Sequence, residues 1–372
     1  MSYFHLNFIL KGKLTVCCLL MLSVMPLNAQ REAKQIGDFK ESISLNEHLR
    51  GTKRTLQYRP DGDEFVCVNG KNRYTRALYG SHSPFRVETS DRPVFAFYNN
   101  GRGGNISFKV ILRDGTELAL DCTGHCESRY SAGKRTYYLT DPSWGKGELR
   151  ISVLALADMD GAIWRFSPSN MPKGAILRWQ HGGATGKRLS RNGDMGVDPA
   201  DCFELPVEAT DLVTGELSLQ KEVYLVRGEV PEGYNVRKLY QQAEAASLAL
   251  ASHLKIETPD PYLNTLGGAL VAAADGIWDG QVWLHGAIGW RMPLSGWRAG
   301  YTGDALGWHD RARTHFDAYA ASQVTDVPNT IPHPAQDSTM NLARSDKRWG
   351  TPQYSNGYIC RNPERNNQMH HY

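Results

Sequence analysis

Cysteine and net charge are both scarce in this chain. Its 372 residues include only seven cysteines, and the formal net charge at neutral pH is +3. So few cysteines in a chain of this length exclude a small fold held together by disulfides. A nearly neutral chain also gives no electrostatic basis for binding nucleic acid, so no nucleic-acid partner is expected.

Several common catalytic motifs are missing as well. There is no Gly-x-Ser-x-Gly and no His-Glu-x-x-His, so serine hydrolases and zinc peptidases have no motif in support. The glycines after His181 end in Gly186-Lys187-Arg188, which lacks the Ser or Thr of a phosphate-binding loop. The segment from Cys122 to Cys126 matches no four-ligand zinc spacing, and a surface turn or a local disulfide is the preferred interpretation. We expect neither a metal nor a cofactor.

Long hydrophobic runs are absent beyond the first 29 residues. Lys11 and Lys13 precede an apolar stretch from Leu14 to Leu22, and the small residue Ala29 follows, an order typical of a cleavable secretory signal peptide. The apolar stretch is shorter than the ~20 residues that a transmembrane helix needs. Residues 1–29 are therefore predicted to be a signal peptide. The protein is expected to be periplasmic or secreted, with no integral membrane segment after cleavage.

The chain does contain many short segments in which apolar and polar residues alternate, from about residue 51 to residue 228. The clearest is Asn105–Asp121, where two such segments flank Arg113-Asp114-Gly115 and predict a β-hairpin. Leu217–Val226 is predicted as one further strand. So many strands without intervening helices predict a large antiparallel β-sandwich over residues 30–232.

The pattern changes from strand to helix at Asn235. That residue is a plausible N-cap for a helix over Val236–Leu254, which is rich in Ala, Leu, Gln and Glu. Asp260 and Pro261 are suited to the cap and the first turn of a second helix. A single third helix is predicted after Thr302, with Ala305, Trp308, Ala312, Phe316 and Tyr319 on one face.

The order of these parts resembles the six-hairpin glycosidase superfamily, in which a β-sandwich precedes an (α/α)6 barrel. Three segments carry the resemblance, which is to a branch found in glycan-degrading Gram-negative bacteria: Thr258–Tyr262, Ala274–Asp279 and Trp283–Arg311. The resemblance implies a linker helix within residues 233–257 and the first hairpins of the barrel within residues 258–372. A whole barrel needs roughly 350 residues, so we expect this stretch to hold only its beginning and the chain to be inactive by itself.

Catalytic candidates follow from the chemistry that the resemblance implies. Glycoside hydrolysis normally needs two carboxyl groups that flank the scissile bond. Asp275, Asp279, Asp304 and Asp310 lie in the matching segments, and the last three are the candidate catalytic residues. Helix caps or ion pairs are the alternative roles for each of them.

Aromatic and basic residues are concentrated in the same segments. Aromatic faces suit sugar rings, and an arginine can bind a carboxylate through two parallel hydrogen bonds. The candidate substrate-binding residues are Trp278, Trp283, His285, Trp290, Arg291, Trp297, Arg298, Tyr301, Trp308 and His309. The alternative is that these residues pack a glycine-rich loop, with the arginines satisfying buried carbonyls.

The sequence thus predicts a β-sandwich followed by α-helices and, as its function, a glycoside hydrolase that acts on a complex glycan. One open alternative is a non-catalytic carbohydrate-binding or scaffold protein. Another is a polysaccharide lyase, which would remove a proton next to a uronate carboxylate with Tyr or His, helped by Arg. A carbohydrate is the expected partner in every case.

Overall fold

Antiparallel strands make up most of the structure, a computed structural model that describes residues 57–71, 74–99, 102–182, 212–230, 232–285 and 297–323. The predicted signal peptide, residues 1–29, lies outside these ranges. All the elements reported below belong to one compact unit that begins at Tyr58.

Fourteen strands fall within the described residues. They are β1 (Arg59–Asp61), β2 (Glu64–Val68), β3 (Tyr74–Leu78), β4 (Arg86–Ser90), β5 (Phe95–Asn99), β6 (Arg102–Ile111), β7 (Glu117–Ala119), β8 (His125–Ser131), β9 (Lys134–Thr140), β10 (Glu148–Ala155), β11 (Gly161–Ser169), β12 (Ile176–Gly182), β13 (Val213–Ser218) and β14 (Val223–Gly228). The first sheet has the order β1-β2-β8-β9-β10-β11-β14, and the second has the order β13-β12-β6-β5-β4-β3, with β7 paired to β6. Every pairing is antiparallel, which confirms the β-sandwich-like prediction.

The core between the two sheets is built around aromatic rings. The ring of Phe95, from the second sheet, lies 5.7 Å from that of Tyr137 and 5.6 Å from that of Trp164, both from the first sheet. Phe108 lies 5.8 Å from Phe95 within the second sheet. All four side chains are buried, and their edge-to-face contacts fix how the sheets stack.

Two strand predictions had different outcomes. The hairpin within Asn105–Asp121 is confirmed, since β6 and β7 flank a turn in which Gly115 has a φ of 87°. The single strand over Leu217–Val226 is wrong. β13 pairs with β12 in the second sheet, whereas β14 pairs with β11 in the first. The exposed polar residues Lys221 and Glu222 lie between them, where the chain crosses from one sheet to the other.

Four α-helices lie within the described residues: α1 (Val236–Ala251), α2 (Pro261–Gly276), α3 (Trp297–Ala305) and α4 (His309–Ala321). Both predicted caps are confirmed. The side chain of Asn235 accepts a hydrogen bond from the Lys238 amide at 3.0 Å, and Asp260 accepts one from the Tyr262 amide at 2.8 Å. None of these helices combines the length and the apolar character that crossing a membrane would require.

The predicted continuous third helix is wrong, because α3 and α4 are separate. Gly307 between them has a φ of 71°, in the left-handed region that favours glycine. The amide of the following residue, Trp308, bonds to the carbonyl of Gly303 at 2.7 Å instead of continuing a regular helix. The break lets α4 fold back against α3.

Helix α1 covers part of the outer face of the first sheet. Leu239, Tyr240 and Ala243 of α1 pack against Leu154 and Ile163 of the sheet. Polar contacts reinforce this packing: the Ser247 hydroxyl donates to the Ala132 carbonyl at 2.6 Å, and Lys134 lies 3.1 Å from Glu244. Helix α1 does not cover the rest of this sheet face.

An ion pair is buried inside the sandwich. A guanidinium nitrogen of Arg135 lies 3.7 Å from a carboxylate oxygen of Asp91, and neither side chain is exposed. The same nitrogen donates to the Tyr58 hydroxyl at 2.7 Å and to the Ser90 carbonyl at 3.1 Å, while the Tyr58 hydroxyl donates to Asp91. These hydrogen bonds offset part of the cost of removing both charges from water.

Three cysteines are described, and all three are free thiols. Cys67 and Cys126 are buried in the sandwich, whereas Cys122 is exposed, so no local disulfide joins Cys122 to Cys126. Burial raises the pKa of the Cys126 thiol to about 12. Burial, with a smaller contribution from Asp91, also raises the pKa of Cys67, so both buried thiols stay protonated.

Truncating Phe95 to alanine should test the importance of the aromatic core. The change removes a fully buried ring that contacts both sheets, so we expect Phe95→Ala to lower the free energy of unfolding by about 3–5 kcal/mol, measured by urea denaturation. Tyr234→Ala, at an exposed position, is the control and should change that free energy by less than about 0.5 kcal/mol. A loss below about 1 kcal/mol for Phe95→Ala would contradict this account.

Candidate functional site

A cleft of about 230 Å³ lies where the helices meet the sandwich. Most of its walls are small side chains contributed by the sandwich, α1 and α2: Gly80, Gly133, Ala155, Ala157, Ala243, Ala246, Ser247 and Ala272. Tyr79, His82, Asp275 and Arg311 supply its larger polar groups. A space with small walls and a few converging polar groups is a common form of ligand site.

Asp275 is the central charged group of the cleft. Its carboxylate accepts a hydrogen bond from Arg311 of α4 at 2.7 Å and lies 3.1 Å from Nε2 of His82, which belongs to the sandwich. The side chain is only 13% exposed. Burial acts to raise the pKa of Asp275, but the hydrogen bonds from His82 and Arg311 outweigh it and lower that pKa. The carboxylate is therefore ionised at neutral pH, and it suits the role of hydrogen-bond acceptor better than that of general acid.

Two glycines allow close approaches of the backbone at the cleft. A Cβ atom on Gly276, at the end of α2, would lie 2.3 Å from the ring of Tyr79. A Cβ atom on Gly80 would lie 1.8 Å from the backbone oxygen of Leu156. Burial raises the pKa of Tyr79 to about 12, so its phenol stays neutral. The close approach of α2 to the sandwich thus depends on Gly276, whereas Gly80 allows two parts of the sandwich to approach each other.

Arg311 links the cleft to the tryptophan-rich segment. Its guanidinium lies 4.3 Å from the ring centroid of Trp308 and 5.8 Å from that of Trp278, within the range of cation–π contacts. Trp308 is partly exposed and stands next to α4, whereas Trp278 is buried. The predicted binding residue Trp308 is therefore placed against the arginine that holds Asp275.

Trp278 and Trp283 pack inside the protein. Their ring centroids are 4.6 Å apart, and both rings pack with Ala299 of α3. The indole nitrogen of Trp283 donates to the carbonyl of Ala274 at 3.1 Å, and the Trp283 amide donates to Nδ1 of His315 at 3.2 Å. This packing agrees with the alternative interpretation for these two residues, because neither presents an open ring face.

The other predicted binding residues are spread over the surface or lie outside the description. Tyr301, His285 and His309 are exposed. Trp290 and Arg291 lie outside the described residues, as do the side chains of Trp297 and Arg298. In the part of the chain that the structure describes, two of the ten candidates, Trp308 and Trp278, contact Arg311 of the cleft wall through aromatic–cation pairs.

The three catalytic candidates have local partners. Asp279 accepts hydrogen bonds from the amides of Gln281 and Val282, at 2.9 and 2.7 Å, and closes a turn. Asp304 lies 3.1 Å from Nδ1 of His309, and both are exposed. Asp310 is 96% exposed, and its carboxylate is 3.9 Å from Arg313. None of the three lines the cleft.

Sequence reasoning missed His82 and Tyr79. They lie in the sandwich segment, and His82 is separated from Asp275 by 193 positions. No local motif marks either residue, so only the packing of α2 against the sandwich brings them to the cleft. Across the described ranges, no group of three or more His, Cys, Asp or Glu side chains is arranged to hold a metal ion.

Neutralising Asp275 should destabilise the protein in a pH-dependent way. Asp275→Asn removes the charge that Arg311 faces, so we expect the free energy of unfolding at pH 7 to fall by about 1–3 kcal/mol. A lowered folded-state pKa stabilises the folded state above the unfolded pKa, which is about 3.9 for aspartate, and this contribution is lost as the pH falls through the folded pKa. The difference between wild type and variant should therefore shrink below about pH 4, in urea titrations from pH 3 to pH 7.

Asp310→Asn is the matched control, because it removes the same charge from an exposed side chain of α4. Its effect should stay below about 0.5 kcal/mol at every pH. If Asp275→Asn behaved like Asp310→Asn, the ion pair in the cleft would not contribute to stability.

Comparison with known protein families finds a similarity within the sandwich alone. Residues 100–231 match the model of a family described as a domain of unknown function, DUF4450. This match spans strands β6 to β14 and includes none of the four helices. No curated protein matches the chain. The sandwich is thus similar to a family whose description carries no activity.

Proposed function

We propose that this protein acts on a complex glycan as a glycoside hydrolase and that the cleft beside Asp275 holds one sugar unit. The supporting observation is an ionised carboxylate, paired with Arg311, in a small-walled cleft between the sandwich and the helices. A carboxylate is a strong acceptor for sugar hydroxyls, and the remaining guanidinium nitrogens of an arginine can donate to ring substituents. Trp308 beside Arg311 supplies an aromatic edge for the same ligand.

The order of the elements supports the hydrolase class. After the sandwich, α1 packs with α2 and α3 packs with α4, so that helices follow as paired hairpins. The α3–α4 pair lies within residues 258–372 and is the kind of hairpin that the six-hairpin resemblance implies, whereas α1 matches the implied linker helix. We propose that residues 258–372 belong to an (α/α)6 barrel. The support for the activity is an analogy between folds, since one fold can serve several functions.

A second candidate function is non-catalytic carbohydrate binding. It is favoured by the state of Asp275, whose lowered pKa keeps it ionised, and by the local partners of Asp279, Asp304 and Asp310. A hydrolase needs one carboxyl group that is protonated when it meets the leaving group. Asp275 therefore suits binding better than proton donation.

The lyase alternative receives less support from the cleft. A lyase base must accept a proton at working pH, and a tyrosine with a pKa of about 12 is poorly matched to that task. Arg311 is also already paired with Asp275, which reduces its capacity to neutralise a uronate carboxylate.

Affinity electrophoresis of the full chain through gels that contain neutral or acidic polysaccharides tests the proposal. We expect retardation by at least one polysaccharide, and we expect Asp275→Asn to weaken that binding by about tenfold, which corresponds to about 1.4 kcal/mol, because the carboxylate acceptor is lost. Asp310→Asn should bind like wild type. Retention without any effect of Asp275→Asn would remove the cleft from the proposal.

Release of a chromophore from aryl glycosides separates the two candidate functions. Turnover by the full chain supports the hydrolase and contradicts the expectation that the chain is inactive by itself, whereas retention without turnover leaves carbohydrate binding as the activity of this chain. Absence of both retention and turnover across the panel would overturn both. Periplasmic or secreted location stays a prediction from residues 1–29.

A further inference from the structure

Helix α1 leaves part of the outer face of the first sheet uncovered. Two rows of side chains cross strands β8, β9, β10 and β11 on this uncovered part, which we call the open face. One row is Glu127, Tyr138, Arg150 and Ser167, and the other is His125, Thr140, Glu148 and Ser169. A shallow cavity of about 420 Å³ lies over them. The open face is built from other residues than the cleft at Asp275.

A tyrosine stands in the middle of the open face. Tyr138 is 37% exposed, and every other residue in the two rows is polar. The guanidinium groups of Arg150 and Arg129 lie 5.3 and 5.8 Å from the centre of its ring and flank it on the two neighbouring strands. A single aromatic ring held on a rigid sheet among polar side chains suits a sugar ring, which presents C–H groups on one face and hydroxyls at its edge.

The two flanking arginines differ in the ion pairs that they make. Arg129 is paired with three carboxylates, at 2.9 Å from Asp61, 3.1 Å from Glu64 and 2.6 Å from Glu127. Arg150 makes no ion pair with any residue in the described ranges, and its buried Nε has no hydrogen-bond acceptor. Glu148 occupies the same face of the strand but makes no ion pair with Arg150. The open face therefore has one guanidinium that makes no ion pair within the described ranges, next to the exposed ring.

We propose that the open face is a second glycan-binding site, one that takes a polysaccharide with anionic groups. A sugar ring stacks on Tyr138, and its carboxylate or sulfate pairs with Arg150. His125, Thr140 and Ser167 surround the pair and supply hydrogen-bonding groups for hydroxyls. A protein partner fits less well, because the centre of a protein interface is usually apolar and the open face has only one large apolar side chain.

This inference rests on the proposed function only in taking the ligand to be a glycan. The test is affinity electrophoresis of the full chain with three probes: polygalacturonate, dextran sulfate and unmodified dextran. We expect retardation by at least one of the two anionic polysaccharides and not by dextran. Polygalacturonate and dextran sulfate show whether the preferred anionic group is a carboxylate or a sulfate.

Three variants locate the binding on the protein. Tyr138→Ala and Arg150→Gln should each raise the Kd for the retained anionic polysaccharide at least fivefold. The matched control is Tyr262→Ala, which removes an equally exposed tyrosine, 37%, from α2. It should bind like wild type. Unfolding midpoints of all three variants show that they are folded when binding is measured.

The outcomes separate this inference from the proposed function. If Tyr138→Ala and Arg150→Gln bind the anionic polysaccharide like wild type, the open face is not the site, whatever the cleft does. Equal retention by dextran would overturn the requirement for an anionic group. If Asp275→Asn loses binding while the open-face variants keep it, the cleft alone binds glycan.

Discussion

One carboxylate holds together three distant stretches of this chain. Asp275, on α2, meets His82 from the sandwich and Arg311 from α4, and Arg311 in turn lies against Trp308. The positions of two helices relative to the sandwich are thus coupled through a single charged group. Because that group is largely buried, its ionisation is favourable only while both partners remain in place. The shape of the cleft and the docking of the helices are two results of the same interaction.

The outer face of the first sheet is used in two ways. Where apolar residues such as Leu154 and Ile163 point outward, α1 covers them and the sheet becomes part of a second core. Where Tyr138, Arg150 and their polar neighbours point outward, no described helix covers the sheet. The outward-facing residues at one end of β10 and β11 are covered by α1, and those at the other end are not. The change from covered to uncovered side chains therefore takes place within the length of one strand. A binding face beside a docked helix needs only this change in side-chain character, with no change in the backbone.

Local features of this fold could be predicted from the sequence, whereas long-range pairings could not. The hairpin at Gly115 and the caps at Asn235 and Asp260 depend on residues a few positions apart. The buried pair of Arg135 with Asp91 and the contact of His82 with Asp275 join residues that have no common motif. Alternation also predicts a strand without saying to which sheet it belongs, which is why Leu217–Val226 was misassigned. The break at Gly307 was missed because apolar spacing continues through it.

The reactivity of the two buried thiols depends on whether the sandwich is closed or open. Cys67 and Cys126 are enclosed and protonated in the folded state, so neither can act as a nucleophile there. When the sheets separate, each thiol meets water and its pKa returns toward the ordinary value. The rate at which these positions react with an alkylating agent then equals the rate at which the core is exposed, provided that alkylation is faster than closing. Exposed Cys122 reacts without such opening. Its alkylation is therefore an internal standard against which the slower alkylation of Cys67 and Cys126 can be compared.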